Sequence, residues 1–327
     1  MNRAIASMSA HRIDVHHHIL PPSYVRAVGD DRIGPLIVAG KTPEWTPQHS
    51  IEAMDRNGIE KAITSISSPG LWFGDVAATR ALTRECNDYA AQIRSDHPGR
   101  FGVFASLPLP DIEGSLREIA YALDELKADG IGLLTNYEGK YPGDPAFAPV
   151  FDELNRRKAV VYFHPTQAPC CHAHALAIPA ATLEFPFDTT KAITSMLFSG
   201  TFARCHDVRF IFSHAGGTVP FLAERIARLE VRPEFRAHVP DGVMFELKRL
   251  FFDTALSANK LAFSALLQLV APDKVLFGSD YPFAPETTMV ATIKGLADLG
   301  LAPDVLHAIE RDNAVRLLRP RAGSGSE

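Results

Sequence analysis

The sequence predicts an α/β chain folded as a (β/α)8 TIM barrel with a small inserted lid after strand one. Three observations lead there. Apolar, β-rich runs alternate with longer helical patterns eight times along the chain. Most of these runs are apolar on both faces, as in a parallel sheet buried beneath helices. No Gly-x-Gly-x-x-Gly follows the first run, which disfavours the alternative, an open doubly wound sheet that binds a dinucleotide.

The elements follow in order. Ile13 and Val15 mark a first strand over Arg12–His18 that ends in His16-His17-His18. Side chains alternate along a strand, so His16 and His18 share one face and His17 takes the other. Pro21–Thr46 is rich in Pro and Gly and too long for an ordinary βα loop, which predicts a lid or an inserted hairpin over a site. Pro47 opens a helix that stops at Gly58. Strand two is expected over Lys61–Ser67, a helix over Asp75–His97, strand three over Phe101–Leu107 and a helix over Ile112–Ala128. Strand four is expected over Ile131–Asn136, a helix from Pro145 to Arg157 and strand five over Ala159–His164. A helix from about Asp188 to Phe202 leads to strand six, Val208–His214, and a helix over Val219–Leu229 follows. Strand seven is Leu250–Thr254, a helix covers Ala258–Val270, strand eight is Val275–Ser279, and two helices close the chain. The expected organisation is one barrel domain over 11–320, with flexible termini at 1–10 and 321–327.

Composition narrows the function classes. The 327 residues suit either one large α/β barrel domain or two ordinary domains, and 46% hydrophobic with 22% charged residues reads as an ordinary soluble globular protein. The net charge of −5, with both signs interspersed, offers no basic stripe for nucleic acid or a membrane surface. No apolar segment reaches the roughly 18–20 residues that span a bilayer, and Met1–Ala10 lacks the apolar core of a signal peptide. Four cysteines, two of them adjacent, make no disulfide framework, so a reducing cytoplasm is expected.

In a barrel the site lies where the strands end. Strand one ends in His16 and His18, strand five in His164, strand six in His214 and strand eight in Asp280. Each is a residue type that ligates metal or carries protons. One histidine at a strand end is usually a packing residue. Five such residues at equivalent heights on four strands converge on one axis and predict a divalent metal centre.

The motifs Asp14-Val15-His16-His17-His18, His164-Pro165, Ser213-His214-Ala215-Gly216-Gly217 and Gly278-Ser279-Asp280-Tyr281-Pro282 resemble the amidohydrolase superfamily. They are most similar to its metal-dependent decarboxylase branch, which acts on aminocarboxymuconate semialdehyde, γ-resorcylate and 6-methylsalicylate. The resemblance runs from about His11 to Leu318, and Thr135–Tyr141 and Glu184–Thr190 resemble the 6-methylsalicylate group. It implies that His16, His18, His164 and Asp280 hold one divalent metal per chain and that His214 is the acid/base. Zn2+ suits these ligand types, and Mn2+ fits nearly as well. Strand four ends near Asn136 rather than at a bridging lysine, and Lys140 lies beyond it, which favours one metal over two. The resemblance also implies a homodimer or homotetramer. One departure stands out: Ser50 falls where the muconate enzyme carries an arginine for a substrate carboxylate, which weakens that substrate.

The implied reaction is non-oxidative decarboxylation of a small aromatic hydroxy acid such as a salicylate derivative. Direct loss of CO2 would leave a costly aryl carbanion, so protonation of the ring carbon comes first. Asp280 or His214 delivers that proton; the pair titrates together beside a cation. Trp72, Phe185, Phe187 and Tyr281 are candidates to bind the ring, although aromatic residues commonly only pack. Asp188 either orients a ligand or caps the helix expected there. Cys170, Cys171, His172 and His174 fit no common zinc spacing and read as a loop near the site. Rival readings are a metal-dependent hydrolase of a lactone or amide, with Asp280 as base, and a non-catalytic barrel that keeps its metal.

Overall fold

The computed structural model describes residues 11–174 and 176–319, and of residues 172–174 the backbone alone. The expected flexible termini and the side chains of His172 and His174 lie outside the described residues. Eight parallel strands stand in sequence order: β1 Arg12–His18, β2 Ile59–Ser65, β3 Phe101–Ser106, β4 Gly130–Leu134, β5 Val160–His164, β6 Arg209–Phe212, β7 Phe251–Asp253 and β8 Val275–Leu276. The chain beyond β8 returns to β1: Phe277 O accepts from Val15 N at 3.0 Å, and Asp280 N donates to His16 O at 2.8 Å. These bonds close the (β/α)8 barrel.

Helices stand between the strands, and several carry a visible start signal. The Asp75 side chain accepts from Ala78 N at 2.7 Å and caps Val76–Asp96. Thr46 caps Pro47–Arg56, and Asn259 caps Lys260–Leu269. The excursion after β1 is helical rather than a hairpin, with turns over Pro22–Val28, Asp30–Ile33 and Gly34–Leu36. The helix expected from Asp188 starts earlier and spans Ala180–Phe198. Asp188 is therefore mid-helix and does not cap it.

Two apolar layers fix the site's position. Inside the barrel, Ile13, Val15, Phe104, Tyr162, Ile211 and Leu276 belong to one buried cluster, in which the Phe104 and Tyr162 rings stack at 5.3 Å. It fills the barrel below the metal-type ligands, and His16 rests against Tyr162 at 5.4 Å. Outside, the strands pack on the helices through residues such as Phe163 and Phe212, stacked at 4.9 Å. The N-terminal end is closed by the buried ion pair of Arg12 with Glu310 at 2.8 Å.

The β1–β2 register contains a bulge. Asp14 pairs with Ala62 and His17 with Thr64, so Val15 and His16 together stand opposite Ile63 alone. Asp14 and His17, three residues apart, consequently share the outer face and meet at 3.1 Å. His16 and His18 turn inward, as alternation at the strand end requires.

Candidate metal centre

The C-terminal ends of the strands bring His16, His18, His164 and Asp280 together, and all four are buried. His16 Nε2 lies 3.0 Å from His18 Nε2. Asp280 Oδ1 lies 3.1 Å from each of these nitrogens and 4.0 Å from His164 Nε2. Two ligand atoms held about 2.0–2.1 Å from one ion at tetrahedral to octahedral angles stand about 2.9–3.4 Å apart. The three shorter separations meet that spacing.

The outward ring nitrogens explain the convergence. His16 Nδ1 faces Asp253 Oδ2 at 2.8 Å, His18 Nδ1 faces Ser65 Oγ at 3.1 Å, and His164 Nδ1 faces Pro165 O at 2.8 Å. When each Nδ1 carries the proton, each Nε2 presents a lone pair to the common centre. Asp280 Oδ1 is buried and has no hydrogen-bond partner among the described residues. Three imidazole lone pairs and an orphaned carboxylate oxygen make a cage that a divalent cation fits.

The electrostatics agree. Burial alone would push the His16 imidazole down, but the charges of Asp253 and Asp280 outweigh it and raise it to about 10. Burial pushes His18 and His164 down, leaving them neutral. Burial would raise Asp280, yet the charge of His16 beside it holds it well below the usual carboxylate range. A divalent cation held there would take the place of the His16 proton as counter-charge to the carboxylates and would leave the Nε2 lone pair free to bind it.

His214 stands at the rim of this cage. Its Nε2 is 3.5 Å from Asp280 Oδ2, and neither ring nitrogen has a hydrogen-bond partner among the described residues. The backbone at His214 is left-handed, with φ 52°, and its N–H donates to Asp253 Oδ1 at 2.9 Å. Gly217 makes the turn that follows possible: its φ is +66°, and a Cβ there would meet Pro186 O at 2.1 Å.

The other candidates are spread more widely. Phe185 is buried, with its ring edge-on to His164 at 5.9 Å. Trp72 lines a cavity of about 440 Å3 with Leu71, Asn136, Tyr137, Thr166 and Gln167. Thr166 and Gln167, on the loop that follows His164, line it, while none of the four cage residues does. Phe187 is 45% exposed and is not among the residues that line this cavity. Tyr281 packs on His17 at 5.2 Å, on the outer side of β1 and away from the cage. Asp188 is buried and accepts from Thr135 Oγ1 at 2.5 Å, Asn136 Nδ2 at 2.7 Å and Tyr141 OH at 2.7 Å. Its two oxygens are thus committed to joining the β4 loop to the helix. Ser50 is buried too, bonded to Trp45 Nε1 and His17 Nε2, each at 2.8 Å. Lys140 is exposed in the turn after β4. Cys170 and Cys171 are free thiols with sulfurs 4.0 Å apart, on the loop that follows His164.

Two contributors escape a reading of the sequence. Asp253, at the end of β7, was legible by the same rule that finds the ligands, because it is the polar residue that ends an apolar strand. Phe283 packs on His18 at 5.4 Å and offers no comparable signal.

Comparison with known proteins points one way. The amidohydrolase family model matches residues 13–319. Decarboxylase yanB of Aspergillus niger is 40% identical over 326 residues, covering 94% of this chain and 87% of its own length. The 6-methylsalicylic acid decarboxylase acuB of Aspergillus aculeatus is 37% identical, covering 94% of this chain and 95% of its own. A crystal structure named Amidohydrorolase II superposes with a TM-score of 0.86 at 33% identity, covering 94% of this chain and 99% of its own.

Proposed function

The chain belongs to the amidohydrolase family, and within it we propose a metal-dependent, non-oxidative decarboxylase of a small aromatic hydroxy acid, a salicylate derivative being the class that fits best. One observation carries the reading: three imidazole Nε2 atoms and Asp280 Oδ1 converge in a buried cage beside His214, whose ring nitrogens are uncommitted. The names of the similar proteins favour decarboxylation over hydrolysis of a lactone or amide. Zinc suits a His3Asp ligand set, and manganese fits almost as well. One barrel domain over 11–320, acting as a cytoplasmic homodimer or homotetramer, completes the proposal.

A divalent ion held by His16, His18, His164 and Asp280 would supply positive charge for a substrate carboxylate and its ortho-oxygen. The residues of the chain do the rest. Phe185, edge-on to His164, is placed to pack against a substrate ring held at the cage, and the Trp72 cavity receives the ring's substituents. His214 and Asp280, 3.5 Å apart, hold the mobile proton between them. That proton bonds to the ring carbon bearing the carboxylate. The bond to the carboxylate carbon then breaks, its electron pair returns to the ring, and CO2 leaves. Burial of the cage keeps bulk water from competing for the proton.

The test is CO2 release from a panel of ortho-hydroxybenzoates, 6-methylsalicylate included, with metal content measured on the same sample. Release that disappears in His164→Ala and Asp280→Ala is expected. A metal-bearing protein that yields no CO2 from any acid, aminocarboxymuconate semialdehyde included, and instead opens a lactone would overturn the proposal.

A further inference from the structure

The orphaned question in the cage is what holds His16 and His214 at once. They come from β1 and from the turn after β6, and neither strand pairs with the other. Between them around the barrel stand β7 and β8, and the last residue of β7 is Asp253. Its side chain is fully buried and lines no cavity described above. Oδ2 faces His16 Nδ1 at 2.8 Å, while Oδ1 accepts from His214 N at 2.9 Å and from Ala255 N at 3.0 Å.

We propose that Asp253 is a positioning residue that sets both the metal-facing tautomer of His16 and the placement of His214. The inference rests on the metal-dependent reading above. A carboxylate accepts, so His16 Nδ1 donates to it, and once the imidazole is neutral its lone pair is on Nε2, toward the cage. The other oxygen anchors the N–H of a residue in the left-handed region, a conformation with its own cost for a residue bearing Cβ. The carboxylate has no room to turn away: a Cβ on Gly278 would already lie 3.0 Å from Asp253 Cβ and Cγ. One side chain thereby fixes a ligand and the acid/base relative to each other without touching substrate.

The geometry makes Asp253→Asn an informative change. Oδ1 serves two backbone N–H groups, so the amide oxygen stays there and the NH2 turns to His16. An NH2 donates, which forces His16 to accept at Nδ1 and to carry its proton on Nε2, inside the cage. Replacing an orienting Asp by Asn costs a catalytic triad its correct tautomer in the same way. Shape and the bond to His214 N are conserved.

The experiment measures zinc affinity of the full-length protein by competition with a chromophoric chelator, alongside the unfolding midpoint of the metal-free forms. Asp253→Asn is expected to bind zinc about 10–100-fold more weakly than wild type while still unfolding cooperatively without metal. Asp253→Ala frees the His214 N–H as well, and at saturating zinc is expected to lose kcat beyond the Asn variant. Equal zinc affinity in wild type and Asp253→Asn overturns this proposal and leaves the decarboxylase reading standing. A wild type that binds no zinc or manganese overturns both. A second measurement needs no variant: 15N-histidine spectra of the zinc-loaded wild type are expected to show the bound imidazoles protonated on Nδ1. A bound imidazole protonated on Nε2 overturns the proposal even if Asp253→Asn does not fold.

Discussion

Gly278→Ala tests how tightly the cage is packed. Gly278 lies between β8 and Asp280 and is buried, and its φ is outside the left-handed region, so alanine is free to adopt its backbone. The objection is purely one of space. The added Cβ would lie 2.8 Å from His16 Cβ and 3.0 Å from Asp253 Cβ and Cγ. Carbon atoms attract best at about 3.5–4.0 Å, so these contacts are about 0.5–1.2 Å too close. Gly278 cannot slide away, because its N–H donates to Thr254 Oγ1 at 3.1 Å and its carbonyl accepts from the same hydroxyl at 3.4 Å. The movement falls on His16 and Asp253. Overpacking of this kind costs about 1–3 kcal/mol, which lowers the unfolding midpoint by a few degrees in a domain of this size. Thermal unfolding of the metal-free protein reads that loss, and zinc titration reads the displacement of His16. A variant with an unshifted midpoint and wild-type zinc affinity would refute the packing argument.

Phe185 and Phe187 separate ring binding from surface packing. Phe185→Leu is expected to lower kcat/KM about three- to tenfold through loss of an edge contact worth about 0.5–1.5 kcal/mol, whereas the exposed Phe187 is expected to tolerate alanine with no measurable change. The reverse order would move the ring site. Hydrogen bonds from Arg156 and Arg157 hold Glu153 down at about 2. A depressed carboxylate contributes stability that is full above about pH 4.5 and is lost as the pH falls through about 2. Arg156 is largely exposed, so solvent screening limits the contribution to about 1 kcal/mol or less. Urea unfolding of Glu153→Gln should accordingly show a small deficit at pH 7 that closes by about pH 2, and a deficit that persists in acid would contradict the assignment.

The barrel was legible because parallel strands covered on both faces are apolar throughout, and their residues stand apart from helical periodicity. The ligands were legible because barrel chemistry collects at strand ends, where a polar residue closing an apolar run is conspicuous. What depends on pairing was not. The bulge at Val15 and His16 is a matter of register between β1 and β2, which no local pattern records. Pro186 stands inside the helix Ala180–Phe198, where its missing N–H would normally end a helix, so the local pattern does not extend the helix back to Ala180. Tyr281 lies next to Asp280 in sequence but packs on the opposite side of β1, and Asp188 is occupied by three donors from the β4 loop. Adjacency in sequence and a suitable residue type left both facts open, because each is decided by tertiary contacts.

The bulge also explains how one short strand serves two networks. On the inner face, His16 and His18 point into the cage and are backed by Asp253 and Ser65. On the outer face, Asp14 accepts from His16 N at 3.1 Å, from Ser279 N at 3.0 Å and from Ser279 Oγ at 2.5 Å. Ser279 precedes Asp280, whose own φ of 64° is left-handed. Asp14 therefore ties the end of β8 to β1 directly behind the cage and fixes where the Asp280 carboxylate hangs. Without the extra residue opposite Ile63, Asp14 and His16 would share a face, and the anchor for Asp280 would compete with the ligands for one space. With it, each ligand has a separate hydrogen-bonded support on a rigid strand end, which is what a metal cage needs to hold its shape before any ion arrives.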